Sequence, residues 1–153
     1  MAQIELSVVV PVYNEVGNLE ILHQEIVEVI EAIGRSYEVL FVDDGSTDDS
    51  LEILQGLQMS NPCVQVIEFR KNFGQTAAIA AGLRYSKGTV VITLDADRQN
   101  DPRDIPLLLS EIDKGMDLVC GWRHQRQDGL WFRLLPSRIA NSLISMTTDV
   151  KLH

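Results

Sequence analysis

The chain has 153 residues, 45% hydrophobic and 23% charged, which suits one domain with a continuous core and argues against intrinsic disorder. Its net charge of -9 excludes nucleic acid as the main partner, because that binding rests on neutralising phosphates with Lys and Arg. Two cysteines, Cys63 and Cys120, lie far apart without CxxC spacing, so neither a zinc site nor a disulfide framework is indicated and a reducing cytoplasm fits.

Leu6-Ser7-Val8-Val9-Val10 is a β-branched apolar run ending at Pro11 and reads as a strand buried on both faces. It is too short for a signal peptide or a membrane span. Leu19, Leu22, Ile26, Val29, Ile30 and Ile33 recur at helical spacing, with Gly34 placed to end the helix. Tyr37 to Val42 predicts a second strand. Asp43-Asp44-Gly45-Ser46 then leads into a helix with Leu51, Leu54 and Leu57 on one face, capped by Ser46 or Asp48. Val64 to Phe69 predicts a third strand, Thr76 to Leu83 a helix, and Thr89 to Leu94 a fourth strand. Ile105, Leu108, Leu109 and Ile112 make an amphipathic stripe ended by Gly115, and Asp117 to Cys120 fits a fifth strand. This alternation predicts an α/β fold: a mostly parallel, Rossmann-like sheet with helices on both faces.

Ligands of such sheets bind at the carboxyl ends of the strands, and the unusual polar clusters of this sequence all fall there. Asp95-Ala96-Asp97 follows the apolar strand, and residues two apart on an extended chain project to the same side. A hard divalent cation, Mg²⁺ or Mn²⁺, would relieve the repulsion of two such carboxylates and leave positions for substrate phosphates. A solvated turn is the plain alternative. Gly45 makes a turn after Asp43-Asp44, and one of these paired acids is placed to accept hydrogen bonds from a base or ribose. Tyr13 either stacks on a nucleobase or packs on the surface. Arg70, Lys71 and Arg123 offer positive charge at the same edge, where a departing diphosphate needs it. No GxGxxG follows the first strand, which argues against a dinucleotide fingerprint.

The segments VVVPVYNE (8–15), VDDGSTDDS (42–50), FRKNFGQTAAIAAGL (69–83), TLDADRQNDP (93–102) and PSRIAN (136–141) span nearly the whole chain. In this order and spacing they resemble the family 2 inverting glycosyltransferases of GT-A fold, and within them the polyprenyl-phosphate glycosyltransferases of the dolichyl-phosphate mannose synthase type. The resemblance implies a nucleotide-sugar-binding GT-A core over 1–122 and the start of an acceptor-side, membrane-interface segment over 123–153. It implies that Pro11, Tyr13, Glu15 and Asp44 contact the nucleotide, that Asp95, Asp97 and Gln99 surround the metal, and that Arg123 contacts donor or acceptor phosphate. Arg98 departs from the pattern, since an apolar residue is usual there. The implied partners are a nucleoside-diphosphate sugar, a polyprenyl phosphate and a membrane surface at the cytoplasmic face, with a homo-oligomer left open.

The implied reaction is a single inverting displacement at the anomeric carbon, with the ion stabilising the departing nucleoside diphosphate. A lipid phosphate acceptor is already largely ionised at neutral pH, so no strong general base is required. The acidic body gives way to a basic tail: residues 121–153 hold Arg123, Arg126, Arg133, Arg138 and Lys151 against Asp128 and Asp149. With Leu130, Trp131, Phe132, Leu134 and Leu135 this stretch suits an anionic lipid surface, or else an amphipathic helix docked on the core. Pro136 to Met146 has a helical pattern, and the last six residues read as the start of an extended element, so the 153 residues are expected to be part of a longer, membrane-anchored enzyme. Rival readings are a non-catalytic nucleotide-binding module, a glycosyltransferase with a saccharide acceptor, and a sugar nucleotidyltransferase. The last lacks its expected glycine-rich phosphate loop.

Overall fold

The computed structural model describes residues 3–121. The expectations for Arg123, the basic aromatic stretch and the helix after Pro136 lie outside the described residues.

Among the described residues, β1 (Leu6–Val12), β2 (Tyr37–Asp43), β3 (Val64–Glu68) and β4 (Val90–Thr93) form a parallel sheet in the order β3-β2-β1-β4. The register runs from Leu6 against Tyr37 to Val12 against Asp43, and from Leu6 against Val90 to Val9 against Thr93. All seven β1 residues are buried, as expected of a central parallel strand covered on both faces.

Side-chain alternation divides the core into two layers. Val8, Val10, Val39 and Phe41 face α1 (Leu19–Ile33), α2 (Ser50–Ser60) and α4 (Ile105–Asp113). Val9, Leu40 and Val42 face α3 (Gln75–Tyr85) through Ala78, with Ala81 beside it. The stripe Leu22, Ile26, Ile30 of α1 is fully buried, and each such side chain contributes about 1.5–3 kcal/mol relative to exposure. Gly34 ends α1 in a left-handed conformation and donates its N–H to the Ile30 and Glu31 carbonyls. The helices therefore cover both faces.

Three details differ from the sequence expectation. β1 runs past Pro11 to Val12, because the Val9 carbonyl accepts from Leu94 while the Val12 carbonyl accepts from Asp44 on the β2 side. Pro11 therefore turns its nitrogen toward β4, whose pairing ended at Thr93, so the missing N–H leaves no gap in the ladder. Ser46 does not cap α2: its hydroxyl accepts from the Asn14 N–H, while Asp48 Oδ1 takes the Ser50 N–H at the helix start. Finally, Asp117–Cys120 is irregular and Leu118 is 80% exposed. A short apolar run makes a strand only where an edge pairs with it, and no described strand does so here.

At the amino-terminal end of the sheet Glu38 is buried, yet fully engaged. Its Oε1 accepts from the Ser7 hydroxyl at 2.7 Å and the Lys87 N–H at 2.6 Å, and its Oε2 accepts from Gln65 at 3.3 Å. This ties the entry of β4 to β1 and β2, as a buried carboxylate requires.

Candidate active site

The loops after β1 and β2 are joined by reciprocal hydrogen bonds. The Asn14 N–H donates to Ser46 Oγ, Thr47 N–H to Asn14 Oδ1, Glu15 N–H to Ser50 Oγ, and Val16 N–H to Asp48 Oδ2. Burial would raise the Asp48 pKa, but hydrogen bonds from Ser50 and from the Val16 and Asp48 N–H groups outweigh it and hold the carboxyl below its usual value. Asn14 takes a positive φ of 57°, a conformation Asn tolerates better than most residues. The polar residues of these two motifs thus serve first to fix one loop against the other.

The loop between β3 and α3 is fixed by Asp44. This carboxylate is almost wholly buried and accepts from the Phe73 N–H at 2.7 Å and the Gly74 N–H at 2.8 Å. Gly45 has φ +69° and lies so close to the next segment that a Cβ would come within 2.4 Å of the Lys71 carbonyl carbon. Only glycine satisfies both conditions. Asp43, beside it, has its Oδ1 buried without a hydrogen-bond partner among the described residues.

The three loops and the end of β4 enclose an open cavity of about 350 Å³, lined by Pro11, Tyr13, Glu15, Asp44, Asp95 and Asp97 among others. Six of the predicted residues are thereby brought together. Tyr13 is 44% exposed at the rim. Glu15 Oε2 accepts from the Asn18 side chain at 2.6 Å. Gln99 is not part of the lining; its N–H donates to Asp97 Oδ1 at 3.0 Å and closes a tight turn. Arg70 and Lys71 do not line the cavity either, and the Lys71 ammonium lies 5.1 Å from the centre of the Phe73 ring.

Asp95 and Asp97 are held differently. Asp95 accepts from Gln75 Nε2 at 2.8 Å on Oδ1 and from Asn100 Nδ2 at 3.0 Å on Oδ2. Asp97 is exposed, and its Oδ2 has no protein partner among the described residues. No group of three or more His, Cys, Asp or Glu able to hold an ion occurs among the described residues. Two hard oxygen ligands with room beside them fit Mg²⁺ or Mn²⁺, which leave most positions to water and phosphate. α3 starts at Gln75 on the cavity wall, so its positive end also favours an anion there.

Asn72 and Gly74, which belong to the polar cluster 70–74 expected at the ligand edge, do line the cavity, whereas sequence reasoning missed Gln75 and Asn100 as supports of Asp95. Gln75 stands directly after a glycine at a helix start, which was the signal available for it.

Parallel strands whose carboxyl ends meet in one acidic, aromatic-rimmed cavity define an α/β domain with a ligand site at its sheet edge. The chain belongs to glycosyl transferase family 2, whose family model matches residues 7–152. It is 41% identical over 152 residues to dodecaprenyl-phosphate galacturonate synthase of Rhizobium johnstonii, covering 98% of this chain and 45% of that protein. It is 45% identical over 144 residues to undecaprenyl-phosphate 4-deoxy-4-formamido-L-arabinose transferase of Edwardsiella ictaluri, covering 94% of this chain and 44% of that protein. The chain therefore spans less than half the length of these curated relatives. Among solved structures it is similar to a mannosyltransferase from Pyrobaculum calidifontis in complex with GDP-Man and Mn²⁺, with TM-score 0.57 and 27% identity over 68% of this chain and 30% of that one. It is also similar to glucosyl-3-phosphoglycerate synthase of Mycobacterium tuberculosis, with TM-score 0.63 and 22% identity over 95% of this chain and 51% of that one. The fold is GT-A.

Proposed function

We propose that the chain carries the donor site of an inverting glycosyltransferase that moves a sugar from a UDP- or GDP-sugar to a polyprenyl phosphate. The observation that carries this reading is the convergence of Tyr13, Glu15, Asp44, Asp95 and Asp97 on one cavity in a chain 41–45% identical to polyprenyl-phosphate sugar transferases. The cavity falls in the range of small-molecule sites.

In this reading Pro11, Tyr13, Glu15 and Asp44 bind the nucleotide. Tyr13 presents a ring face to the base, while Asp44, already holding the Phe73 and Gly74 N–H groups, keeps the facing wall in place. Asp95 and Asp97, with Gln99 beside them, hold Mg²⁺ or Mn²⁺, which supplies charge stabilisation for the departing diphosphate. Gln75 and Asn100 orient Asp95. Arg123, which falls outside the described residues, is assigned to phosphate. The domain split at residue 122, a location at the cytoplasmic membrane face and contact of the basic tail with lipid belong to the same proposal. No described helix is long and apolar enough to cross a membrane.

The test is titration of the chain with UDP and GDP, with and without Mn²⁺. Asp97→Ala is expected to weaken metal-dependent nucleotide binding at least tenfold, about 1.4 kcal/mol. Full binding in EDTA, or unchanged affinity in the variant, would remove the metal assignment.

A further inference from the structure

Arg98 places a cation between Asp97 and Gln99, directly beside two carboxylates assigned to a divalent ion. A guanidinium free to fold back onto Asp97 would compete with that ion for the same oxygens, since it pairs well with carboxylates. It does not fold back. Its Nη2 lies 2.7 Å from Glu25 Oε1 on α1, and the two side chains are 37% and 29% exposed. Glu25 precedes the fully buried Ile26, so the pair fastens the turn to a helix anchored in the core.

The backbone adds a second observation. Arg98 has φ 58°, a left-handed conformation that non-glycine residues adopt at a cost and keep only where the surroundings hold it. That conformation accompanies the hydrogen bond from the Gln99 N–H to Asp97 Oδ1, while Asp97 Oδ2 has no partner among the described residues and Asp97 lines the cavity. An ordinary surface ion pair contributes little to stability. This one joins a strained turn at the site to a rigid element.

We propose that Glu25 is a positioning residue for the metal site: by holding the Arg98 guanidinium against α1, it keeps a competing cation off Asp97. The inference rests on the assignment of Asp95 and Asp97 to a divalent ion, and it makes an asymmetric prediction. Loss of Glu25 releases a cation, whereas loss of Arg98 removes one.

The experiment measures Mn²⁺ binding to the chain by electron paramagnetic resonance of free Mn²⁺, at saturating UDP and separately at saturating GDP. It compares wild type, Glu25→Gln, Arg98→Gln, the double variant and Asp97→Ala. Glu25→Gln is expected to bind Mn²⁺ about tenfold more weakly, Arg98→Gln to change binding less than about threefold, and the double variant to recover most of the loss. Thermal unfolding without metal is expected to be the same for all four chains that retain Asp97. A merely structural pair would give equal effects for the two single variants, no rescue, and a shift in unfolding. Wild-type Mn²⁺ affinity in Glu25→Gln, or a loss that Arg98→Gln does not rescue, overturns the proposal while leaving the metal assignment intact. Unchanged Mn²⁺ binding in Asp97→Ala overturns both.

Discussion

Asp44 and Asp43 are adjacent acids of the same motif, yet the fold gives them opposite surroundings. Asp44 accepts two backbone N–H groups from a loop about thirty positions away, whereas Asp43 receives the Ser46 N–H at 3.2 Å on one oxygen and has the other buried without a partner among the described residues. Hydrogen bonds to a charged group contribute about 1.5–3 kcal/mol each, so removing both from Asp44 is expected to lower stability by about 2–4 kcal/mol after relaxation. Asp44→Ala should therefore unfold at clearly lower urea. Asp44→Asn should recover only part of the loss, because its NH₂ must face one of the two N–H donors. Nucleotide affinity should fall in parallel, since the same loop carries Asn72, Gly74 and Gln75 of the cavity wall. A wild-type urea midpoint for Asp44→Asn would show that the loop is held some other way.

At the scale of elements, the contact between α1 and the end of α2 contains a pH-sensitive pair. Asn61 accepts the Cys63 N–H on Oδ1, which orients its amide so that Nδ2 faces His23 Nε2 at 3.3 Å. An amide nitrogen only donates, so His23 must be neutral and accepting there. Burial lowers the His23 pKa below 6.5, in agreement with this geometry. The unfolded chain then binds the proton more readily than the folded one. The stabilisation is complete above pH 6.5 and is lost as pH falls through the depressed folded value. Urea midpoints measured between about pH 5 and 8 should decline on the acid side in the wild type and flatten in His23→Gln. Parallel slopes in the two proteins would assign the acid sensitivity to other groups.

The same scale separates what the sequence made legible from what it hid. The four strand-helix repeats, and the gathering of Pro11, Tyr13, Glu15, Asp44, Asp95 and Asp97 at the sheet edge, follow from periodicity and motif placement, which are local properties. The bonds from Asn14 to Ser46, from Asp44 to Gly74 and from Gln75 to Asp95 join residues 20 to 32 positions apart, so no window of sequence contains them. The expected fifth strand at Asp117–Cys120 failed for a related reason: apolar character is local, but an available pairing edge is not. α3 offers a test of this packing. A Cβ at Gly82 would lie 2.2 Å from Val9 Cγ1, so Gly82→Ala should cost about 1–3 kcal/mol through overpacking despite the better helix propensity of alanine. A stability gain in thermal unfolding would mean that α3 can move off the sheet freely.

At the scale of the whole molecule, charge decides how a chain of net charge -9 could meet an anionic membrane. The acidic body, which includes Glu20, Glu28 and Glu31 along α1, is repelled by such a surface, so attraction must come from Arg123, Arg126, Arg133 and Arg138 together with Trp131 and Phe132. Each basic residue close to an anionic leaflet contributes about 1 kcal/mol, and added salt shortens the range of both attraction and repulsion. Co-sedimentation with vesicles is therefore expected to rise with the fraction of anionic lipid and to fall as salt is added. Replacing Arg126, Arg133 and Arg138 by glutamine should weaken that dependence while nucleotide binding changes little, since none of the three is assigned to the donor site. Equal binding to neutral and anionic vesicles, or binding unaffected by the triple substitution, would leave the charge reversal of the tail without a membrane role.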